Sequence, residues 1–235
     1  MAAMDHAATT TSRLASLEAV LFDLDGTVVD TIPHILASFR HATATVFGET
    51  LADDVLLEHV GVPLANQMRF FTDDEEIAER LLAEYRVFNH ATHDEMARLY
   101  PNTRAALDTL AATGLPLGIV TSKSAHMAHR ALDLFDLGGY FGVVMTCDDS
   151  DRHKPDPLPV LLGAERLGVD AKACAYVGDS PADVAAALGA GALAIAATWG
   201  VTARDRLQAA GPDLVFDDIA DVAEAIRSAR DAENR

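Results

Sequence analysis

Short apolar strands alternate with helices along the second half of the chain, and this alternation restricts the fold more than any other feature. Each of the segments LPLGIVT, FGVVMT, ACAYVG and ALAIAAT follows a stretch with helical periodicity. Continuous apolar strands separated by helices are typical of a parallel sheet covered on both faces. The segment EAVLF at residues 18–22 has the same character and predicts a further strand. The predicted fold class is therefore α/β, with a Rossmann-like parallel sheet as its core.

Residues 31–99 interrupt this alternation. The segments TIPHILASFRHATATVF, DDVLLEHV, PLANQMRFF and DEEIAERLLAEYRVFNHA all have helical periodicity, and no convincing strand lies among them. We call residues 31–99 the helical block and predict that it is a subdomain inserted into the α/β core. The core then comprises residues 17–30 and 100–235, where DLVF adds a last short strand before a final helix. The small and polar residues 1–16 predict a disordered lead-in.

The chain is strongly acidic, with a formal net charge of −18. Such a surface repels nucleic acids and anionic membranes, so neither is an expected partner. The sequence contains no apolar run of the length that spans a membrane, and the N-terminus lacks the features of a secretory signal. Cys147 and Cys174 have no metal-binding spacing and predict buried free thiols in a cytoplasmic protein. No pattern in the sequence indicates an oligomeric state.

Polar side chains follow the predicted strands at the points where the strands end. Because ligands of open parallel sheets bind outside the carboxyl ends of the strands, these loops are expected to meet. Each loop also has a plain structural explanation, since Asp, Ser and Thr end strands and cap helices, and a lysine can be a solvated surface residue. It is less expected, however, that every one of these loops carries residues suited to the same chemistry by accident. The loops contain Asp23-Leu24-Asp25-Gly26-Thr27, Thr121-Ser122-Lys123, Lys154-Pro155-Asp156 and Gly178-Asp179-Ser180-Pro181-Ala182-Asp183.

The carboxylates in these loops suit phosphoryl transfer to an aspartate nucleophile. A carboxylate that approaches a phosphate needs a metal ion and fixed positive charge to offset their repulsion. Mg²⁺ prefers oxygen ligands, and Asp23 and Asp179 could hold it between two strand ends. Asp183, one helical turn beyond Asp179, could be an outer or water-mediated ligand. Asp25 is close enough to Asp23 to protonate a leaving oxygen and later to activate water.

Positive charge for a phosphate is scarce, because the only lysines are Lys123, Lys154 and Lys172. Lys154 can neutralise the phosphate as a point charge. The Thr121 hydroxyl and the backbone N–H of Ser122, placed at an expected helix start, can hold the remaining oxygens. Gly26, directly after the paired aspartates, is also predicted to contact the phosphate. The predicted partner is a small phosphorylated molecule.

These motifs together resemble those of the haloacid dehalogenase-like phosphatase superfamily, and the resemblance extends over residues 18–229. It implies that Asp23 is the nucleophile that forms an aspartyl-phosphate and that Asp25 is the general acid and base. It further implies that Asp23, the backbone carbonyl of Asp25 and Asp179 hold Mg²⁺, while Thr121 and Lys154 hold the phosphate. The motifs are DLDGT at 23–27, VTS at 120–122, Lys154 in KPDP, and GDSPAD at 178–183.

The same resemblance implies that the helical block is the family's small α-helical (C1-type) cap. Dehalogenation is disfavoured, because the dehalogenases lack the second aspartate that stands here at Asp25. Within the superfamily, YRVFNHATHDEM at 85–96 and CDDSDRHKPDP at 147–157 resemble the phosphoglycolate phosphatase branch, and within it the bacterial pyrophosphatases. The chain departs at Pro101-Asn102, where that branch usually has Pro-Gly. The resemblance implies hydrolysis of inorganic pyrophosphate or of a small phosphomonoester such as 2-phosphoglycolate.

Two alternatives remain at this point: a sugar phosphomutase of the same superfamily, and a binding protein without activity. A phosphomutase needs block residues that bind a bisphosphate and exclude water, and no such set is identifiable here. A binding protein would have no need of the intact Asp23, Asp25, Lys154 and Asp179.

Two segments of the helical block are candidates for contact with substrate. One is the loop Gly61-Val62-Pro63-Leu64, whose small residues would let the backbone approach a ligand closely. The other is the helix that carries Arg86, His90 and His93, which share a face if the helix continues. That face could equally be solvated or support a hinge, so the loop has the better claim.

Overall fold

The computed structural model describes residues 12–233, and its strands form two sheets. The strands are β1 (Ala19–Phe22), β2 (Val29–Asp30), β3 (Arg98–Leu99), β4 (Leu117–Val120), β5 (Phe141–Met145), β6 (Cys174–Gly178), β7 (Leu193–Ala197) and β8 (Leu214–Phe216). The large sheet has six strands in the order β5-β4-β1-β6-β7-β8, and every neighbouring pair is parallel. This order places β1, the strand before the paired aspartates, between β4 and β6.

Helices cover both faces of this sheet, as the alternating pattern predicts. The helices are α1 (Ile32–Phe47), α2 (Asp53–Leu57), α3 (Leu64–Met68), α4 (Glu75–Met96), α5 (Thr103–Ala112), α6 (Ala125–Leu134), α7 (Leu158–Leu167), α8 (Pro181–Ala190), α9 (Arg204–Ala209) and α10 (Ile219–Glu233). Within residues 12–233, no helix combines the length and the apolar character needed to cross a membrane.

The core of the sheet is divided into two clusters, one on each face. One cluster joins the sheet to α5, α6 and α10, and the other joins it to α7, α8 and α9. Strands β1, β4, β6 and β7 are buried along their whole length because both of their faces are covered. The prediction of an α/β fold with a parallel sheet is therefore confirmed.

The helical block has an apolar cluster of its own. Helices α1 and α4 pack along each other, and the Phe39 and Tyr85 rings meet edge to face with centroids 4.8 Å apart. Leu81 and Met68 are buried in the same cluster. These helices bury their apolar faces against one another, which is consistent with a separate subdomain.

One short pair of strands differs from the prediction of a block without strands. β2 and β3 pair antiparallel, with Val29 opposite Leu99 and Asp30 opposite Arg98. They lie where the chain leaves the sheet for the helical block and where it returns. Strands of two residues are too short to show an alternating pattern, and the pairing joins segments far apart in sequence, so no local signal indicates them.

The predicted disordered lead-in also needs correction. Residues 12–15 form a helical turn, while residues 1–11 lie outside the described part of the chain. Leu14 is buried in the core, and the Arg13 guanidinium donates to the Gly191 carbonyl at 3.0 Å and lies 3.3 Å from Asp213. These contacts come from distant parts of the sequence, which explains why composition alone missed them.

Candidate active site

The loops at the carboxyl ends of β1, β4, β5 and β6 meet the helical block around a cavity of about 190 Å³. From the sheet side, Asp23, Asp25, Asp179 and residues 121–124 line this cavity. From the block, residues 60–65 and the middle of α4 line it. Cys147, predicted as buried, is only half-buried and lies in the same wall. The structure thus brings most of the predicted site residues to one place.

Asp23 stands at the end of β1 with its carboxylate almost fully buried. Its Oδ1 accepts a hydrogen bond from the backbone N–H of Leu24 at 2.7 Å, and its Oδ2 lies 3.0 Å from Nζ of Lys154. Burial raises the pKa of Asp23 to about 7, and the nearby Lys154 only partly offsets this effect. A buried carboxylate with this raised pKa needs more positive charge around it to be fully ionised near neutral pH.

Lys154 is a buried residue, so the alternative of a solvated surface lysine is excluded. Its ammonium contacts Asp183 Oδ1 at 2.5 Å and the Tyr176 hydroxyl at 3.0 Å, in addition to Asp23. Burial alone would lower the pKa of Lys154, but Asp183 and Asp23 raise it above its ordinary value. Lys154 is therefore a permanently charged group behind the Asp23 carboxylate.

Both carboxylate oxygens of Asp183 accept hydrogen bonds from other groups of the protein. Oδ1 binds Lys154 and accepts from the Tyr176 hydroxyl at 3.0 Å, while Oδ2 accepts from the Ser180 backbone N–H at 3.0 Å and from its hydroxyl at 2.5 Å. Ser180 and Asp183 form a capping box at the start of α8. This arrangement agrees with an outer position for Asp183 and makes it a poor direct ligand.

Asp179 follows β6 directly, and its carboxylate lies beside that of Asp23 at the end of the neighbouring strand β1. One carboxylate oxygen each of Asp23, Asp179 and Asp183 lies within 4.8 Å of the others. Burial, together with the charges of Asp183 and Asp23, raises the pKa of Asp179 well above its ordinary value. A divalent cation would relieve this repulsion, so the carboxylates fit a hard cation such as Mg²⁺.

Two glycines allow the backbone to wrap closely around Asp179. A Cβ atom at Gly26 or at Gly200 would lie 2.2 Å from Asp179 Oδ2, and Gly26 has a φ of +78°. The same oxygen accepts from the Val201 N–H at 2.7 Å. Gly26, predicted to contact phosphate, therefore lies against the Asp179 carboxylate.

The loop after β7 was missed by sequence analysis. It supplies Gly200 and Val201, and the Trp199 indole N–H in it donates to the Thr27 carbonyl at 3.0 Å. The signal was available, because this loop also follows the carboxyl end of a predicted strand and contains the single tryptophan of the chain.

Asp25 points into the cavity and forms an ion pair that the sequence did not predict. The Lys123 ammonium lies 2.7 Å from Oδ1 and 2.9 Å from Oδ2, and the Thr31 hydroxyl donates to Oδ1 at 2.6 Å. Burial alone would raise the pKa of Asp25, but Lys123 and Thr31 lower it below its ordinary value. Lys123 is thus a site residue, although sequence analysis assigned it no role.

The loop after β4 places Thr121 and Ser122 differently from expectation. Helix α6 begins at Ala125, so the Ser122 N–H does not lie at a helix start. The N–H of Ala125 itself donates to the Asp148 carboxylate at 2.8 Å. Thr121 Oγ1 accepts from the Lys123 N–H at 3.2 Å, and both Thr121 and Ser122 line the cavity. The polar residues before the first apolar turn of α6 form a loop instead of an extra helical turn.

The loop at residues 61–64 of the helical block contacts the loops at the strand ends. The Gly61 carbonyl accepts from the Ser122 hydroxyl at 2.7 Å, and a Cβ at Gly61 would lie 2.7 Å from Ser180 Oγ. Val62 and Pro63 line the cavity, and the Val62 carbonyl accepts from the Gln67 side-chain amide at 2.7 Å. The structure therefore places this segment over the strand ends, where it was expected to lie.

The second candidate segment is continuous helix, but its three residues do not all face the cavity. Arg86 and His90 line the cavity and are otherwise exposed. His93 is buried; its Nδ1 lies 2.8 Å from Asp94, and its ring packs edge to face on His34. The helix is continuous as the shared face requires, but only Arg86 and His90 line the cavity, because His93 packs against His34 of α1.

The fold and the motif loops define a known class of enzyme. Residues 20–197 match the haloacid dehalogenase-like hydrolase family, and the chain belongs to this family. The resemblance inferred from the motifs is confirmed, and so is the prediction of a hydrolase.

Relatives within the family share most of the chain. The pyrophosphatase PpaX of Bacillus velezensis is 35% identical over 204 residues, which cover 87% of this chain and 94% of the relative. A predicted phosphoglycolate phosphatase from Haemophilus somnus has a similar structure, with a TM-score of 0.82, 25% identity and coverage of 89% of this chain and 97% of the other. A predicted phosphatase from Clostridium acetobutylicum has a TM-score of 0.80 at 25% identity and covers 90% of this chain and 99% of its own.

Proposed function

We propose that this protein is a Mg²⁺-dependent phosphohydrolase that acts through an aspartyl-phosphate on inorganic pyrophosphate or on a small phosphomonoester such as 2-phosphoglycolate. The observation that carries this proposal is the position of Asp23. Its buried carboxylate is paired with Lys154 at 3.0 Å, adjoins Asp179, and shares the cavity with Asp25. This arrangement supplies a nucleophile, positive charge and an acid or base within one small space.

The proposed reaction has two steps. In the first, a carboxylate oxygen of Asp23 forms a bond to phosphorus, the bond to the leaving oxygen breaks, and protonated Asp25 gives its proton to that oxygen. The ion pair with Lys123 then holds the ionised Asp25, which is the form that acts as base in the second step. In the second, a water molecule attacks phosphorus, Asp25 takes a proton from the water, and the bond to Asp23 breaks. The products are inorganic phosphate and the protonated leaving group, and both aspartates return to their initial state.

The chain's own residues hold the transferred phosphoryl group. Lys154 offsets negative charge from behind Asp23. Thr121 and Ser122 line the cavity where the phosphoryl oxygens would lie, so the Thr121 hydroxyl and the Ser122 N–H are the proposed donors to them. Asp23, the backbone carbonyl of Asp25 and Asp179 would hold Mg²⁺, with Asp183 behind them. When bound, Mg²⁺ supplies charge neutralisation between the nucleophile and the phosphate.

The helical block is the second part of this proposal. Residues 31–99 form a cap over the core made of residues 17–30 and 100–235, and the cap sets which leaving group fits. The contact between Gly61 and Ser122 at 2.7 Å supports this assignment, since it joins the block directly to a motif loop.

Two observations favour a small substrate. The cavity of about 190 Å³ has room for a compact leaving group such as phosphate or glycolate. The pyrophosphatase and phosphoglycolate phosphatase relatives suggest the two compounds to test first.

The test is a panel of phosphate compounds with Mg²⁺, ranked by kcat/KM from the release of inorganic phosphate. The panel contains pyrophosphate, 2-phosphoglycolate, hexose phosphates, nucleotides and a chromogenic ester. We expect pyrophosphate or 2-phosphoglycolate to rank first. Isomerisation of a hexose phosphate without phosphate release would indicate a phosphomutase, and no turnover of any compound would overturn the proposal.

A further inference from the structure

Lys123 is the cation that lies closest to the proposed acid, and it faces the cavity. Its ammonium makes hydrogen bonds to both oxygens of Asp25, and its side chain is 10% exposed. An ammonium group has three N–H donors, and these contacts use two of them. The remaining donor is available to a molecule in the cavity.

The charges of the residues that line the cavity show why the free Lys123 donor matters for binding an anionic substrate. Three carboxylates, Asp23, Asp25 and Asp179, line the described cavity, and the permanently charged cations among its lining residues are Lys123 and Arg86. Lys154 is not among the lining residues, and its ammonium is paired with Asp23 and Asp183. The proposed Mg²⁺ would offset charge between Asp23 and the transferred phosphoryl group, so a second anionic group on the leaving side would depend on Lys123 or Arg86.

Lys123 and Arg86 differ in how close they lie to the expected position of the leaving group. The leaving oxygen must lie against Asp25 to receive its proton, and Lys123 binds that same carboxylate at 2.7 and 2.9 Å. The leaving group is then within reach of the Lys123 ammonium. Arg86 is an exposed residue on α4, and holding its long side chain at a ligand would cost more conformational entropy.

We propose that Lys123 is a specificity-determining residue that binds an anionic phosphate or carboxylate on the leaving group and so selects substrates with a second negative charge. This inference rests on the proposed function and names the substrate class of that site. Neither Asp23 nor Lys154 can make this distinction, because both act on the transferred phosphoryl group, which all substrates share.

The experiment compares two substrates that differ in one charge, 2-phosphoglycolate and its neutral amide, 2-phosphoglycolamide. Loss of Lys123 also changes the surroundings of Asp25, but that effect lowers kcat/KM for both compounds. The ratio of the two kcat/KM values therefore isolates the contact with the charged group. We expect wild type to prefer the acid and Lys123→Met to reduce that preference by about ten- to a hundredfold, as for loss of a charged hydrogen bond.

Two further variants make the result specific. Lys123→Arg keeps the positive charge and should retain most of the preference for the acid. Lys172→Met makes the same change at an exposed lysine and should leave the ratio at the wild-type value. Thermal unfolding of each variant checks that the fold is intact.

The outcomes separate this inference from the proposed function. If wild type and Lys123→Met hydrolyse both compounds with the same ratio, the Lys123 assignment is overturned and the proposed function stands. If wild type hydrolyses neither these compounds nor pyrophosphate, the proposed function is overturned, and the assignment with it.

Discussion

Lys154 and Asp23 form a buried ion pair in which the ammonium nitrogen lies 3.0 Å from Oδ2 of the carboxylate. The same ammonium also binds Asp183 at 2.5 Å, so one positive charge serves two buried carboxylates. Removing it would leave both carboxylates without compensation, and this cost does not depend on any bound ligand.

Lys154→Met is therefore expected to abolish turnover and to destabilise the fold by roughly 3–5 kcal/mol, the usual effect of breaking a buried ion pair. Phosphate release and urea unfolding would measure the two effects. Lys172→Met, the same change at an exposed position, is the control and should alter neither. Full activity in Lys154→Met would contradict the assigned role.

The two aspartates after β1 should differ in how their loss affects the reaction. Asp23→Asn keeps the size of the side chain but removes the nucleophile, so it should abolish turnover. Asp25→Asn should slow both steps by about 10²- to 10⁴-fold, the usual contribution of general acid–base catalysis. Single-turnover kinetics with a substrate radiolabelled in its phosphoryl group would detect the covalent intermediate. Substantial activity in Asp23→Asn would rule out the covalent mechanism, and a loss below tenfold in Asp25→Asn would assign that residue another role.

Activity should require Mg²⁺ and disappear in excess chelator. Ca²⁺ should replace it poorly, because its larger and more flexible coordination would misplace the nucleophile. Binding gives a second measurement: Mg²⁺ should raise the melting temperature of wild type but not of Asp179→Ala, which lacks a predicted ligand. Full activity in the presence of excess chelator would contradict the metal site.

Gly61→Val should impair the best substrate more than a small generic ester. The residue has a φ of +113°, and an added Cβ would lie 2.7 Å from Ser180 Oγ, so the loop must move away from the site. We expect a loss of roughly tenfold or more in kcat/KM on the best substrate. Gly48→Val is a matched control, because Gly48 has a φ of +82° with no atom within 4 Å of an added Cβ.

Arg86→Ala tests the other candidate segment and should change KM or stability only modestly, since the side chain is exposed. The ranking of the two segments would be reversed if Arg86→Ala destroyed activity while Gly61→Val had no effect.

The buried His34 should make stability fall at low pH. Burial and the neighbouring charges lower the pKa of His34 from 6.5 to about 4. Between these values the unfolded chain binds a proton that the folded chain excludes, so the contribution to stability is complete above pH 6.5 and is lost as the pH falls toward 4. The loss between pH 7.5 and 4.5 should reach about 2 to 3 kcal/mol.

Urea unfolding at both pH values would measure this effect. His34→Gln should lose less stability over the same range than wild type, whereas His129→Gln, at an exposed histidine, should behave as wild type does. An equal loss of stability in wild type and His34→Gln would show that His34 does not titrate in this range.

The sequence by itself determined the sheet and the order of the motif loops, because their signals are local. Strands such as Cys174–Gly178 are apolar throughout, and a strand of that kind is stable only when it is covered on both faces. Asp23, Asp25 and Asp179 follow directly after such strands, so their arrival at one edge of the sheet follows from parallel strand direction alone.

Only the tertiary structure decided how the lysines are paired. The KPDP motif singles out Lys154, but no local feature separates the ion-paired Lys123 from the exposed Lys172. Lys123 meets Asp25 across 98 residues of sequence, and Lys154 meets Asp183 across 29. The same holds for Gly61 against Ser122, for the β2–β3 pair and for the helical turn at residues 12–15. Each is a contact between distant segments, and its free energy depends on the burial and charge that packing creates around it.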